Sequence, residues 1–390
     1  MLSADEALRR ILELVPELPG ERVPLTEALG RALTEDVLAV RTLPPWDNSA
    51  MDGYALRADD AAAPGARLWV VAEIFAGQQA ARPLAVGECA RIMTGGPLPQ
   101  GADAVEMQEK VHRLSQSEVE LTEAVSRGQF VHARGEDAQA GQVLLPRGTV
   151  LGLPEAALLW GQALAYAPVP RRPRVAVLAA GDELCAVDAP LPDRLIDVNT
   201  PALCEAVRRA GGEPRALGIA ADALPDLGAA LARATDVDVV VTAGGASVGD
   251  RDLLREALSR HGVVLDFWRV AIKPGKPLAV GRRGRTLFFA LPGNPVSALV
   301  TFELFVRPAL RRMSGHAEVS PLTIPAVAAA PMRKPAGLRH YLRVTAAWRD
   351  GALWATPLGS QNSGAVRSAA GPPTSASFPK RSPLGRWATR

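Results

Sequence analysis

At 390 residues, the chain is long enough for two or three domains of about 150 residues each. Its 44 Lys and Arg residues against 41 Asp and Glu residues leave a formal charge of +3, which is too small for a protein that coats nucleic acid or a membrane surface. Hydrophobic residues make up 48% of the chain and charged residues 22%, a globular composition that excludes an intrinsically disordered protein.

The cysteines and the N-terminus indicate a reducing compartment. The chain has three widely spaced cysteines and no C-x-x-C motif, so neither a disulfide framework nor a cysteine-ligated zinc site is expected. The first residues, MLSADEALRR, lack the apolar stretch of a signal peptide, and no run approaches the ~18 apolar residues that a membrane span needs. We therefore expect a cytoplasmic protein that binds neither nucleic acid nor membranes.

The N-terminal part of the chain begins with a helix and continues into short β-prone runs. Ser3 and Glu6 form a capping box, and the apolar residues that follow recur at helical spacing. A Pro-Pro pair then leads into the extended segment WDNSAMDGYAL. From about residue 67 to 150, runs such as 68–71 and 118–121 alternate with Gly, Pro and Gln, which predicts a small β module.

Residues 174–313 alternate between strand-like and helical runs. Strands are predicted at 175–179, 216–219, 237–242 and 286–291, and helices at 201–210, 224–234, 253–260 and 295–312. Such alternation is typical of βαβ units, so the sequence predicts a doubly wound, mostly parallel α/β domain. Asn199 or Thr200 is the predicted N-cap of the first of these helices. The residues after Met313 are Pro-rich and then β-prone, which predicts a further β unit.

Three glycine-rich segments follow predicted strands of this domain, where an α/β sheet usually binds its ligand. They read AAGDEL at 179–184, AGGASVGDRD at 243–252 and LPGNPVSA at 291–298. Glycine lets a backbone approach a ligand closely, although each segment taken alone is also compatible with a plain turn. We predict a substrate site formed by Gly181, Asp182, Gly244, Gly245, Ser247, Gly249, Pro292, Gly293, Asn294, Pro295 and Ser297.

The segment KPGKP at 273–277 holds two of the five lysines in a chain that otherwise uses arginine. Its two prolines stiffen a short loop, and lysine is a compact point charge that suits a phosphate oxygen. A solvated surface turn is the alternative interpretation. We predict that Lys273 and Lys276 bind an anionic substrate at the same site.

The predicted site combines groups that attract an anionic ligand with groups that repel one. Glycine amides and the two lysines favour a polyanion, whereas nearby carboxylates repel it, by about 4 kcal/mol for two like charges ~4 Å apart at an effective dielectric near 20. A divalent cation between carboxylates and phosphates reconciles the two sets, and oxygen ligands favour Mg²⁺. We therefore predict Mg²⁺ as the cofactor, held by some of Glu183, Asp250 and Asp252. The histidines show no spacing typical of zinc ligands.

Together, these segments resemble the molybdopterin molybdenumtransferase family, the MoeA proteins, which are related to the gephyrin E domain. The matching motifs lie in the family's order over about residues 1–315: PPWDNSAMDGYAL, RIMTGGPLPQGADAVE, RGED, AAGDEL, GGASVGDRDL, FWRVAIKPGKPLAVG and ALPGNPVSALVTFELFVRPAL. The resemblance implies a function in molybdenum cofactor biosynthesis. In that reaction, adenylylated molybdopterin and molybdate give molybdenum cofactor and AMP, with Mg²⁺.

The resemblance also implies a homodimer of elongated four-domain subunits, with the active site at the dimer interface, and a possible adenylyltransferase partner. The expected parts are an extended N-terminal dimerisation region, an inserted small β domain, a molybdopterin-binding α/β domain and a C-terminal β-barrel-like domain. Their expected bounds are 1–50 with 140–172, 51–139, 173–315 and 318–390.

The candidate catalytic residues that the resemblance implies fall into two groups. The first group would reach in from the partner subunit and comprises Asp52 of SAMDGYA, Thr94 of IMTG and Asp137 of RGED. Apart from the resemblance, a turn or cap carboxylate is the favoured interpretation of Asp52 and Asp137. The second group lies in the α/β domain and comprises Glu183, Asp222, Asp252, Lys273 and Lys276.

The chain departs from the family pattern at three positions and in its tail. Ala180 stands where threonine is usual, Arg269 where lysine is frequent, and Val198 where a small polar residue is usual. The first two are expected to alter oxyanion contacts without abolishing the reaction. The tail GPPTSASFPKRSPLGRWATR is rich in Pro, Ser and Arg, so we expect it to be irregular from about residue 371 and the last β unit to be incomplete.

Two other functions compete with this interpretation. An adenylyltransferase that acts one step earlier on the same pterin would share the α/β domain, but its stand-alone members lack the SAMDGYA segment and the β modules. A non-enzymatic scaffold would bind a peptide partner, and the intact carboxylates and lysines argue against it. Dependence of AMP release on molybdate separates the transferase from the adenylyltransferase, and any AMP release excludes the scaffold.

Overall fold

The chain folds into two units, each assembled from separate stretches of sequence. A computed structural model describes residues 1–75, 77–245, 253–332, 334, 336–368, 370 and 374–378. The first unit comprises Met1–Thr34, Gly148–Ala156 and Ala165–Arg390, and the second comprises Glu35–Arg147 and Ala157–Leu164. Within the described part of the chain, no helix has the length and apolar character needed to cross a membrane.

A six-stranded sheet forms the centre of the first unit. Its strands are β1 (Arg174–Ala180), β2 (Glu213–Ala220), β3 (Val239–Ala243), β4 (Val264–Phe267), β5 (Ala279–Arg283) and β6 (Thr286–Leu291). They lie side by side in the order β2-β1-β3-β6-β5-β4. The first four strands of that order are mutually parallel, whereas at one edge β5 pairs antiparallel with β6, and β4 pairs antiparallel with β5.

Helices cover both faces of this sheet, which explains why its central strands are almost entirely buried. One core lies between the sheet and the helices Ala4–Leu14, Asn199–Arg209, Pro295–Thr301 and Arg307–Met313. The other core lies between the sheet and the helices Leu224–Ala232 and Leu253–Arg260. All five residues of β3, VVVTA, are buried. A sheet with helices on both faces is typical of α/β proteins and confirms the predicted mostly parallel α/β domain.

The helix predicted at 295–312 is interrupted by a π-helical turn at Phe302–Val306. The amide of Arg307 donates to the carbonyl of Phe302, five residues back. Pro308 supplies the physical reason, because it has no amide hydrogen to donate to the carbonyl four residues earlier. The α-helix then resumes at Arg307–Met313.

The remaining elements of the first unit are short and mostly β. Gly20–Pro24 pairs antiparallel with Tyr166–Pro170, and Leu184–Cys185 pairs parallel with Leu195–Ile196. A C-terminal sheet consists of Ile272–Lys273, Arg339–Arg349, Ala352–Pro357 and Val327–Ala328 in that order. The helix Leu25–Ala28 lies near the N-terminus, and the helix Leu153–Gly161 begins in the first unit and ends in the second.

The tail contributes one more strand to that C-terminal sheet. Thr374–Phe378 pairs antiparallel with Arg339–Arg349, with Leu342 opposite Ala376. The prediction of an irregular tail is therefore wrong for these five residues. The sequence TSASF has no proline and can donate to the free edge of a strand, whereas the Pro-Pro pair before it cannot. The remaining tail positions, 371–373 and 379–390, lie outside the described residues.

The second unit is a β module, as the short β-prone runs in residues 67–150 predict. Its main sheet consists of Ala104–Met107, Gly53–Leu56, Glu88–Ile92, Arg67–Ile74, Glu118–Leu121 and Val111–Arg113 in that order. Two small antiparallel pairs join Asn48–Ser49 to Val131–His132 and Val37–Leu38 to Val143–Leu145. Separate apolar clusters around Leu68 and Ile92 cover the two faces of the main sheet.

Candidate active site

The carboxyl ends of the four parallel strands meet at one edge of the sheet. The segments that follow β1, β2, β3 and β6 carry Gly181, Asp222, Gly244 and Gly293 respectively. In open α/β sheets, this edge leaves amide groups available to a ligand. The structure therefore brings the predicted glycine segments to one place, apart from residues 246–252. Ser247, Gly249, Asp250 and Asp252 lie outside the described residues, so their predicted roles stay predictions.

An acidic cluster lies where β1 and β2 end. The amide of Asp222 donates to Oδ1 of Asp182 at 3.1 Å, which ties the two loops together. Burial, followed by the charges of Asp182 and Glu183, raises the pKa of Asp222 above its ordinary value. All three side chains are exposed, and Glu183 is further held by a 2.7 Å hydrogen bond from the amide of Leu195 to its carbonyl. The predicted acid Glu183 thus lies beside two further carboxylates.

Close packing of the loops explains Gly244 and leaves little space at Gly293. Gly244 has a φ of +92°, and a Cβ built on it would lie 2.2 Å from the carbonyl oxygen of Ala180. A Cβ on Gly293 would lie 3.3 Å from Cα of Gly244. The amide of Gly244 also donates to the carbonyl of Leu291 at 3.3 Å. Loop packing requires glycine at 244 with or without a ligand, because no other residue fits both the conformation and the space.

Asp197 and Asn199 support this edge and were not predicted as site residues. The helix begins at Asn199, so the prediction of Asn199 or Thr200 as N-cap is wrong. Oδ1 of the buried Asp197 instead accepts hydrogen bonds from the amides of Asn199 and Thr200, at 3.0 and 3.1 Å. Nδ2 of Asn199 donates to the carbonyl of Gly293 at 2.8 Å, which anchors the third glycine loop. The sequence signal that could have identified these two residues is the mostly polar run DVNTP at the start of a predicted helix.

The start of the helix Pro295–Thr301 is occupied by the C-terminal part of the chain. The amide of Val296 donates to the carbonyl of Ser363 at 3.1 Å, and Nδ2 of Asn294 donates to the Ser363 hydroxyl at 3.1 Å. Ser297 is 4% exposed, so its side chain faces the protein interior. Of the predicted residues here, Gly293 and Asn294 are the exposed ones.

The KPGKP segment combines two exposed lysines with a buried central glycine. Lys273 and Lys276 are exposed, whereas Gly275 between them is buried with a φ of +103°. Lys273 pairs in the C-terminal sheet with the buried His340. Burial, then the charges of Lys273 and Lys334, lowers the pKa of His340 below its ordinary value.

The second unit brings two of its three predicted residues into contact. Oδ1 of Asp52 accepts hydrogen bonds from the amide and the hydroxyl of Thr94, at 2.7 and 2.8 Å. These two donors lower the pKa of Asp52. Asp137 is exposed, and its amide donates to the carbonyl of Leu43 at 3.1 Å, but no hydrogen bond between the described side chains joins it to Asp52 or Thr94.

The described carboxylates satisfy part of what Mg²⁺ requires. Asp182, Glu183 and Asp222 offer the oxygen donors that Mg²⁺ prefers, and burial, followed by the charges of the other two carboxylates, raises the pKa of Asp222. Among the described residues, however, no three His, Cys, Asp or Glu side chains converge as ligands of one ion. The donor chemistry therefore fits Mg²⁺, while the predicted ligands Asp250 and Asp252 lie outside the described residues.

Fold and site together define a multidomain α/β plus β protein whose parallel sheet carries a candidate ligand site at its carboxyl edge. Three family models match the chain in succession: the MoeA N-terminal region (domain I and II) over residues 2–162, a probable molybdopterin binding domain over 176–312, and the MoeA C-terminal region (domain IV) over 325–371. The chain belongs to the molybdopterin molybdenumtransferase family, and it is a transferase of molybdenum cofactor biosynthesis. The resemblance read from the motifs is thus confirmed.

Curated relatives and a solved structure agree with this assignment. The molybdopterin molybdenumtransferase of Nostoc sp. (strain PCC 7120) is 39% identical over 331 residues, covering 82% of this chain and 76% of the relative. That of Bacillus subtilis (strain 168) is 35% identical over 378 residues, covering 95% and 88%. The crystal structure of a molybdopterin biosynthesis moeA protein from Pyrococcus horikoshii OT3 superposes with a TM-score of 0.86 at 29% identity, covering 99% of this chain and 97% of that one.

Proposed function

We propose that the chain inserts molybdate into adenylylated molybdopterin and releases AMP in a Mg²⁺-dependent reaction. One observation carries this proposal: the acidic cluster, the glycine loops and the KPGKP lysines all lie within residues 176–312, which match a probable molybdopterin binding domain. The first two sets share the carboxyl edge of the parallel sheet. The relatives' name, molybdopterin molybdenumtransferase, supports the same substrate class.

The two exposed lysines have a specific role in this proposal. Lys273 and Lys276 neutralise negative charge on the phosphate oxygens of the departing AMP, which lowers the barrier most if their positions are set before reaction. In the proposal, backbone amides of the exposed Gly293–Asn294 turn orient the anionic substrate. The capture of molybdenum belongs to the dithiolene sulfurs of the pterin, and the protein brings pterin and molybdate together.

Mg²⁺ would reconcile the carboxylates with a phosphate-bearing substrate. Glu183, with Asp250 and Asp252, is the proposed ligand set, and Asp222 stays a candidate catalytic residue beside it. When bound, the ion would neutralise charge on the phosphoanhydride. The hydrogen bond from the amide of Asp222 to the side chain of Asp182 holds the two acidic loops next to each other.

We further propose that the active protein is a homodimer in which Asp52, Thr94 and Asp137 of one subunit complete the site of the other. The exposed Asp52–Thr94 pair supports this, because its carboxylate is ionised and oriented without being buried. The extended dimerisation region, the C-terminal β-barrel-like domain and an adenylyltransferase that supplies the substrate remain predictions. Three unpaired, buried cysteines support a reducing, cytoplasmic location.

The decisive experiment measures free AMP after incubation of the purified chain with adenylylated molybdopterin. Four samples contain or lack Mg²⁺ and molybdate, and a fifth contains excess chelator. We expect AMP only with both ions. Release without molybdate would favour an adenylyltransferase-like hydrolysis, release in excess chelator would remove Mg²⁺ from the mechanism, and no release under any condition would favour the scaffold.

Single substitutions test which acidic residues contribute to AMP release. Glu183→Gln and Asp252→Ala are expected to slow AMP release by at least about a hundredfold if each contributes to charge stabilisation in the transition state. Asp226→Ala, which removes an exposed carboxylate from the helix Leu224–Ala232, is the matched control and should keep the rate. Unchanged turnover in the Asp252 variant would defeat its assignment.

A further inference from the structure

Thr301 contacts two segments of the candidate site with the two ends of one side chain. It is fully buried at the end of the helix Pro295–Thr301. Its hydroxyl lies 2.8 Å from the carbonyl oxygen of Ser297 and 3.0 Å from that of Ala298, and donates to them. Its methyl group lies over Gly275, where a built Cβ would be only 2.4 Å from Cγ2 of Thr301.

Gly275 is the centre of the KPGKP segment. Its φ of +103° is a conformation that glycine adopts without strain, and the residue is buried between the exposed Lys273 and Lys276. The segment is closed at its base, since the carbonyl of Lys276 accepts hydrogen bonds from the amides of Val270 and Leu278, each at 3.1 Å. The Thr301 methyl group therefore supports, from the protein interior, a short closed loop that carries both lysines outward.

We propose that Thr301 is a positioning residue for the lysine pair. It fixes the distance between the KPGKP segment and the helix Pro295–Thr301, which follows the LPGNP turn. The hydroxyl fixes the side chain to its own helix, and the methyl group fills the space under Gly275. Loss of the methyl group would let the loop sink or rotate, and charge stabilisation depends on donor positions to well under 1 Å. This inference rests on the proposed function, in which Lys273 and Lys276 act on the departing AMP.

The first test compares two threonine-to-serine variants. Thr301→Ser keeps the hydroxyl and removes the methyl group. Thr286→Ser does the same at the opposite end of β6, where the hydroxyl donates to the carbonyl of Val237 at 3.0 Å. We expect kcat for AMP release to fall on the order of tenfold in Thr301→Ser and to be unchanged in Thr286→Ser, with similar melting temperatures. AMP affinity, measured by calorimetry, should weaken in Thr301→Ser alone.

Equal kcat and AMP affinity in the two variants would overturn the positioning role. That outcome is distinct from failure of the proposed function, which would appear as absence of AMP release from the unsubstituted chain.

The second test uses the contact itself. Gly275→Ala should lower kcat more than Thr301→Ser, because the new Cβ meets Cγ2 of Thr301 and the backbone is strained. The double variant Gly275→Ala/Thr301→Ser removes that methyl group and should recover at least part of the activity of Gly275→Ala. The control Gly275→Ala/Thr286→Ser should show no recovery. If the losses at 275 and 301 simply multiply, the two residues act independently and the inference is wrong.

Discussion

The carboxylate of Asp52 and the side chain of Thr94 form one hydrogen-bonded pair although 41 residues separate them in the chain. Thr94 donates both its amide and its hydroxyl to the same oxygen, Oδ1 of Asp52. The carbonyl of Asp52 also accepts the amide of Gln108 at 3.1 Å, so both the backbone and the side chain of this residue are held. An exposed acid is thereby given a fixed direction, which is what its proposed role in the partner subunit's site requires.

The Thr94 hydroxyl can be removed without removing its amide. Thr94→Val should raise the pKa of Asp52 toward its ordinary value, but not fully, because the amide is the larger cause of the lowered pKa. The folded protein favours ionised Asp52, so this contribution to stability is present above the ordinary pKa of Asp and is lost as pH falls through the lowered one. The measurement is a carboxyl carbon-13 NMR titration.

Thr122→Val is the matched control for that titration. It removes a hydroxyl of the same unit that donates to the carbonyl of Lys110 at 2.8 Å and, among the described residues, makes no hydrogen bond to a carboxylate. An Asp52 titration that moves equally in both variants would contradict the assignment of the Thr94 hydroxyl.

Asn199 provides a second prediction, because its amide anchors the loop at Gly293. Asn199→Ala removes one hydrogen bond, whereas Asn199→Asp places a carboxylate against the Gly293 carbonyl and near the buried Asp197. We expect Asn199→Asp to cost about 1–3 kcal/mol of unfolding free energy and Asn199→Ala to cost less. Urea unfolding measures the difference, and AMP release should fall in the same order. The reverse order would show that the contact with Gly293 does not hold the loop.

The first unit could be predicted from sequence because three of its parallel strands, β1, β3 and β6, are mostly apolar runs. The strand 264–267 could not, since VLDF is short and half-exposed, and its antiparallel pairing with β5 depends on tertiary context. In DVNTP, Asp197, Asn199 and Thr200 are all acceptable caps, and only the observed hydrogen bonds decide among them.

The candidate site likewise combines features that the sequence predicts with contacts that it does not predict. Glycine loops after strands predict an edge site by local pattern alone. The contacts between Asp52 and Thr94, and between Gly275 and Thr301, join residues that are distant in the chain and carry no periodic signal. For the first pair, only the resemblance to a known family suggested that the two residues work together.

His316 predicts a pH dependence of stability. It is 7% exposed, its Nδ1 has no hydrogen-bond partner among the described residues, and burial is the main cause of its lowered pKa, followed by the charge of Arg311. The unfolded chain therefore binds this proton more readily than the folded chain. Stability should be retained above pH ~6.5 and should decline as pH falls from there toward the lowered pKa, by at most about 1.4 kcal/mol per pH unit for one proton.

Urea unfolding of the first unit between pH 7.5 and 5 checks this dependence. His316→Gln removes the titrating ring and should flatten the decline. His112→Gln, an exposed substitution in the other unit, should leave it as it is. A decline that is equally steep in all three proteins would assign the pH dependence to other groups.

The strand Thr374–Phe378 makes the last prediction. It covers residues 340–344 of the strand Arg339–Arg349, whereas residues 345–349 pair with Ala352–Pro357, and Val344 pairs with both strands. Deleting residues 374–390 should therefore speed amide hydrogen exchange at 340–344 and leave exchange at 345–349 nearly unchanged, because only the first group loses its partner strand. Hydrogen-exchange mass spectrometry with overlapping peptides resolves the two groups. Equal acceleration in both would mean that the added strand supports the whole sheet, and no acceleration at 340–344 would mean that it does not pair in solution.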